Sequence, residues 1–194
     1  MKVAVVLAIT LGAPRAFAQE IEFSQLRLRD LIGTSPAIVV GKRAEPFVLT
    51  DGRQVTGKDG KAEVWSEARY RFVVTDVLAA RPDLGGRLRG QTITVLPADM
   101  EIQFQAFSNR VKKLDLPPVK LLKYSPMGDR AFELDDVLIL FVKPWTEGNY
   151  VLAATQAYES LEHRRMVEEA IDAVHAERKQ KLEKAAAEGP RPVP

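Results

Sequence analysis

Basic residues, and the aromatic residues near them, are the side chains of this chain best suited to contact a ligand. The basic ones fall in three predicted loops: Arg81, Arg87 and Arg89; Arg110, Lys112 and Lys113; Lys120 and Lys123. Cationic groups attract anionic ligands, and aromatic rings stack on sugars or bases. We predict binding residues at Arg81, Arg87, Arg89, Arg110, Lys112, Lys113, Tyr124 and Trp145, with Trp65 as a further stacking surface. Alternatively, the basic residues solvate the loops and the aromatic residues cover the core.

The chain contains two histidines, and both fall on a predicted C-terminal helix. Twelve helical residues place His163 and His175 roughly 18 Å apart along the axis, so they cannot bind one metal ion together. Glu159 and His163 have i, i+4 spacing, which we interpret as an ordinary surface pair. The sequence therefore predicts no metal site.

Other catalytic patterns are missing from the sequence. There is no G-x-S-x-G motif, and the acids Asp129, Glu133, Asp135 and Asp136 lack the spacing of a calcium-binding EF-hand loop. The only paired glycines, Gly85 and Gly86, precede a predicted strand rather than a helix, so no phosphate-binding loop is indicated. We predict a non-enzymatic protein with no catalytic residues and no cofactor.

The first 18 residues have the pattern of a secretory signal peptide. Lys2 precedes an apolar stretch, and Ala16-Phe17-Ala18 forms a small-x-small cleavage site. Pro14 and Arg15 interrupt the apolar stretch at about half the length that spans a membrane. Cleavage after Ala18 predicts a periplasmic or secreted protein without a membrane span.

Charge and cysteine content narrow the choice of partners. The formal charge is +2, and removing residues 1–18 takes away two bases and no acids, which leaves 28 − 2 = 26 bases against 26 acids. A neutral chain has no general electrostatic attraction for nucleic acid, which we regard as an unlikely partner. The absence of cysteine excludes disulfides and cysteine-ligated metals.

Hydrophobic periodicity predicts mainly β structure with flanking helices, an α+β class. The apolar residues 137–142 form the longest such run outside the N-terminus and predict a strand buried on both faces. Further strands are predicted over 37–41, 70–80, 91–96 and 150–157, with a bulge at Val77 and Leu78. Helices are predicted over 25–32 and from Tyr158 to about Lys181.

Domain organisation follows from these elements. We predict one domain over 19–178, with an insertion at 98–134, and a flexible tail over 179–194. Residues 50–62 are interpreted as a long loop or weak hairpin. Alternation of Met100, Ile102, Phe104 and Ala106 with polar residues predicts an extra strand inside the insertion.

The order of these elements resembles a family of bacterial secreted proteins. The segments SPAIVVGK (35–42), YRFVVTDVLAA (70–80), QTITVL (91–96) and DVLILFVKP (136–144) carry the resemblance. Members have an oligonucleotide/oligosaccharide-binding-like (OB-like) barrel, similar to the netrin-like domain of tissue inhibitors of metalloproteinases. The resemblance implies a five-stranded closed or partly open barrel. Those inhibitors use an N-terminal cysteine on zinc, which this chain lacks, so their mechanism is not expected here.

These observations lead to two expectations for function. The first is an exported, non-enzymatic protein that binds another envelope or extracellular protein. The second is a module that binds a small ligand or a glycan through the loop arginines, lysines and aromatic residues. Partner identity and oligomeric state have no sequence pattern that predicts them.

Overall fold

A computed structural model describes residues 21–112, 114, 119–128, 132, 135–146 and 148–188. The strands are β1 Ile21–Leu26, β2 Ala37–Thr56, β3 Ala62–Ala80, β4 Thr92–Leu96, β5 Val119–Tyr124, β6 Val137–Thr146, β7 Asn149–Leu152 and β8 Tyr158–Ser160. The helices are α1 Leu28–Thr34, α2 Pro82–Leu88, α3 Met100–Val111 and α4 Arg164–Glu188. The predicted signal peptide, Lys113 and residues 189–194 of the predicted tail lie outside the described residues.

Five strands close into a barrel in the order β2-β3-β4-β7-β6, and β6 pairs back with β2. Neighbouring strands are antiparallel except β4 and β7, which run parallel. With α1 before the barrel and α4 after it, the predicted fold class is confirmed: mainly β, with a closed five-stranded barrel and a long C-terminal helix. The barrel is compatible with the OB-like type.

β6 is the centre of the core, as its apolar run predicts. Residues from Leu138 to Val142 are at most 1% exposed. β2 pairs along one edge of β6, while β7 and β8 pair along the other. An element hydrogen-bonded on both edges and covered on both faces needs apolar side chains at successive positions, which explains the unbroken run.

The β2–β3 hairpin is much longer than the sequence predicts. Pairing runs from Ala37 with Ala80 to Thr56 with Ala62, so of the two alternatives for residues 50–62 the hairpin is confirmed and the long loop is wrong. The turn is closed by the Gly57 N–H, which donates to the Lys61 carbonyl at 2.8 Å. The predicted bulge is confirmed, because Ile38 pairs with Ala79 and Val39 with Val77, leaving Leu78 unmatched.

Residues 100–106 are helical, so the predicted strand is wrong. Met100, Phe104 and Phe107 follow helical spacing, and the last two pack on Arg53 and Trp65 of the hairpin. The apolar residues that alternate with polar ones in this segment lie on a helix that the hairpin covers only in part. Tertiary contact decides such an ambiguous pattern.

Three smaller elements also differ from expectation. Residues 25 and 26 of the predicted helix 25–32 lie in β1, which pairs in parallel with β5, and the short helix begins only at Leu28. The segment around Gly85 forms α2, which begins with Pro82 at its first position, where a missing N–H costs nothing. Tyr158 begins β8 rather than a helix, and α4 continues to Glu188 instead of fraying after Lys181.

The long helix α4 packs against α1 and the barrel through one apolar face. Val167, Ile171 and Val174 are the buried residues of this face, at helical spacing. Among the helices that the structure describes, none combines the length and the apolar composition that crossing a bilayer requires.

Candidate functional site

A cavity of about 300 Å³ opens where β4 and β7 end. Its lining comes from β3, from β4 and the turn after it, from Phe132 before β6, from β7, and from residues 154–158, here called the wall segment. The lining residues are Tyr70, Val95, Leu96, Pro97, Ala98, Asp99, Phe132, Leu152, Thr155, Gln156 and Tyr158. A largely apolar cavity with a few polar groups, at the lower end of the range of about 300–1,000 Å³, is typical of a site for a small ligand.

Aromatic rings give the cavity a fixed shape. The Phe132 ring meets Tyr70 edge-to-face at 4.8 Å between centroids and Tyr158 in the same manner at 5.0 Å. Phe132 also lies 5.8 Å from Phe72, which is fully buried in the core. Edge-to-face contacts on several sides restrict each ring, so this side of the cavity is formed before any ligand binds.

Thr155 supplies a buried polar group in the wall segment. Its backbone is satisfied, because its N–H donates to the Leu122 carbonyl at 3.0 Å and its carbonyl accepts from the Tyr124 N–H at 2.9 Å. The hydroxyl oxygen Oγ1 is buried beneath the cavity surface and has no hydrogen-bond partner among the described residues.

Gln156, the next residue, has a backbone conformation that is rare for a residue with a side chain. Its φ is 59°, in the left-handed region. Such a conformation costs on the order of 1–3 kcal/mol and is found often where a chain clamps a ligand. The strain and the unsatisfied hydroxyl therefore fall on adjacent residues of one wall.

The wall segment is held in place from behind by Glu159, which is 0% exposed. Its carboxylate accepts a short hydrogen bond from the Tyr124 hydroxyl and another from the Met127 N–H at 3.0 Å. His163 Nδ1 lies 3.0 Å from the other carboxylate oxygen. One buried side chain thus connects β8, β5, the turn after β5 and the start of the C-terminal helix.

The acidity of the Tyr124 hydroxyl is strongly affected by these contacts. Burial raises the pKa of its hydroxyl above the usual range, and the hydrogen bond to Glu159 raises it further. The hydroxyl therefore keeps its proton, and remains a donor to Glu159, above the pH at which an ordinary tyrosine ionises.

The binding residues predicted from sequence lie elsewhere, and none of those that the structure describes lines the cavity. Arg81 pairs with Asp83 at 2.9 Å, Arg89 pairs with Asp76, and Arg110 is 3.5 Å from Glu63. Arg87 and Lys112 are exposed and form no ion pair with described residues. Trp145 is 55% exposed, whereas Tyr124 is 3% exposed and offers no ring face to solvent.

The fold does not bring the two main basic groups together. Arg89 contacts Asp76 near one end of β3, while the C-terminal end of α3 packs beside Trp65 near the other end. Eleven residues of extended chain separate these two positions by roughly 35 Å along the strand. A single ligand the size of the cavity cannot contact both groups.

Sequence reasoning missed the cavity and the burial of Glu159. The cavity residues come from four separate stretches of chain that have no common pattern. Glu159 was interpreted as half of a surface pair with His163, and this interpretation is wrong because β8 turns its carboxylate inward. The sequence signal for the burial of Glu159 was the pair of apolar residues before it, Ala157 and Tyr158.

No group of three histidine, aspartate or glutamate side chains with metal-binding geometry occurs in the described part of the chain. No family model, curated protein or solved structure gives a significant match to this sequence or fold. The geometry of the site therefore carries the functional argument.

Proposed function

We propose that this chain is an exported, non-enzymatic binding protein that holds a small molecule in the cavity beside β4 and β7. The observation that carries the proposal is the cavity itself, whose aromatic side is fixed by edge-to-face contacts and whose wall includes Gln156 in a left-handed conformation. A strained residue in the wall of a preformed, largely apolar cavity is a frequent feature of ligand sites. A small-ligand site is the second of the two expectations from sequence, but here it lies in the barrel and not in the loops.

Export is supported by the sequence of residues 1–18. The similarity to netrin-like domains is supported by the strand order and by the position of the C-terminal helix. Because a shared fold is only an analogy for function, and this chain has no cysteine to bind zinc, the similarity supports binding rather than protease inhibition.

A protein partner or a polysaccharide is the second candidate. It is favoured by Trp145, a large aromatic residue that is 55% exposed, since exposed tryptophans are frequent centres of interfaces. Arg87 and Lys112, whose charges are not compensated by described residues, remain proposed contacts on this outer surface.

Fragment screening by ¹H–¹⁵N NMR of purified residues 19–194 separates the two candidates. A library of one- and two-ring amines, alcohols and acids should shift the amides of Tyr70, Thr155 and Gln156. Ala98→Phe, which fills the cavity, should abolish these shifts, whereas Trp145→Ala should leave them unchanged. Thermal denaturation checks that both variants fold.

The proposal fails if no fragment shifts the cavity amides of the folded protein, or if Ala98→Phe leaves binding intact. Cross-linking to envelope extract that depends on Trp145, together with an unresponsive cavity, would establish the second candidate instead.

A further inference from the structure

We infer that the ligand of the cavity is a flat ring compound that is neutral or positively charged. The inference rests on the proposed function and defines the class of ligand. It reverses the expectation from the basic loops, which would select an anionic ligand.

The aromatic side of the cavity indicates that the ligand contains a flat ring. Tyr70, Phe132 and Tyr158 present edges and faces at interplanar angles of 75° and 65°. A flat ring can add one more edge-to-face or offset contact to this set, and each such contact increases affinity about two- to tenfold. A flexible aliphatic chain gains no comparable contact and loses more conformational freedom on binding.

Asp99 indicates which charge the ligand can carry. It is the single charged residue among the described residues that line the cavity, and its Oδ2 accepts from Gln103 Nε2 at 2.8 Å without any ion pair to a described cation. The N-terminus of α3 beside it contributes about half a positive charge, which offsets the carboxylate only in part. The rim of the cavity therefore repels anions and attracts cations.

Three ligands that share the indole ring test this class: tryptamine, a cation; tryptophol, which is neutral; and indole-3-propionate, an anion. Their dissociation constants for residues 19–194 are measured by NMR titration. We expect tryptamine to bind about threefold more tightly than tryptophol, and indole-3-propionate about threefold less tightly, as for a partly exposed charge pair.

Variants assign the preference to particular side chains. Asp99→Asn should make the three dissociation constants nearly equal, while Asp83→Asn, an acid on α2 outside the cavity lining, should preserve their order.

The outcomes separate the ligand class from the function. If fragments bind the cavity but the indoles do not, or if the anion binds most tightly, or if Asp99→Asn preserves the order, the ligand class is overturned and the cavity remains a binding site. If no fragment and no indole reaches the cavity, the proposed function fails together with this inference.

Discussion

Two buried glutamates lie in two different parts of the molecule and are stabilised in opposite ways. Glu159, behind the wall segment, is surrounded by a tyrosine hydroxyl, a backbone N–H and a histidine nitrogen. Glu67, under α3, is 4% exposed and lies between two arginines. The first carboxylate is held mainly by hydrogen bonds from three segments of chain, the second by charge.

The Glu67 network belongs almost entirely to the β2–β3 hairpin. Arg69 Nη2 donates to Glu67 at 2.7 Å, and Arg53 Nε lies 2.8 Å from it as an ion pair without hydrogen-bond geometry. Arg53 continues to Glu101 of α3 at 3.0 Å and lies over the Phe104 ring at 3.5 Å. The side chains of both arginines are about a third exposed, so solvent screens their charges.

The comparison shows that burial alone does not define the role of a charged residue. Glu159 connects elements that are far apart in sequence, so its loss should affect the whole domain and the cavity. Glu67 connects neighbouring strands and one helix, so its loss should affect the far end of the hairpin.

Glu159→Ala is expected to have the largest effect. It leaves the Tyr124 hydroxyl and the Met127 N–H buried without an acceptor, and each such group costs about 1–3 kcal/mol. We expect a loss of about 3 kcal/mol in the free energy of unfolding, measured by urea denaturation. Tyr124→Phe, which removes one donor and leaves the others paired, should lose only about 1 kcal/mol. A loss below about 1 kcal/mol for Glu159→Ala would remove the distinction between the two regions.

Glu67→Ala is expected to lose about 1–2 kcal/mol, because the two arginines it leaves behind can turn partly to solvent. Amide hydrogen exchange should rise in residues 48–69 and stay unchanged in the wall segment. In 1 M NaCl the effect of this substitution should shrink, since salt screens exposed charges, while that of Glu159→Ala should not. Equal salt responses would contradict the assignment of charge to one site and hydrogen bonding to the other.

Alkaline pH should act on the Glu159 region and not on the Glu67 network. The pKa of Tyr124 is raised in the folded protein by burial and by Glu159, so the folded state retains a proton that the unfolded state releases above its pKa of about 10. This contribution to stability is complete below that value and declines as pH rises above it. We expect a loss of about 1 kcal/mol between pH 9 and pH 10.5.

The Tyr124→Phe variant should not show this loss of stability at alkaline pH, whereas the Glu67→Ala variant should still show it. Ultraviolet titration of the wild-type protein should show at least one tyrosine that ionises only on unfolding, and Tyr124→Phe should remove one such tyrosine. Ionisation of all four tyrosines of the chain near the ordinary value would contradict the buried contact with Glu159.

The barrel strands could be predicted because each has a pattern that local chemistry produces. The apolar run of β6, the alternation in β3 and the phase change at Leu78 all reflect which faces are covered, and the structure confirms them. The helix α3 could not be predicted in the same way. Its residues alternate as in a strand, and contact with Arg53 and Trp65 favours the helix.

Sequence by itself determined the class of fold, the central buried strand, the lack of cysteine and the neutral charge of residues 19–194. Each of these depends on composition or on neighbours along the chain. Tertiary structure alone decided where the cavity lies and which way Glu159 points. Those features arise when Tyr70, Asp99, Phe132 and Thr155 converge from separate segments, and such convergence depends on strand register and closure of the barrel rather than on any local pattern.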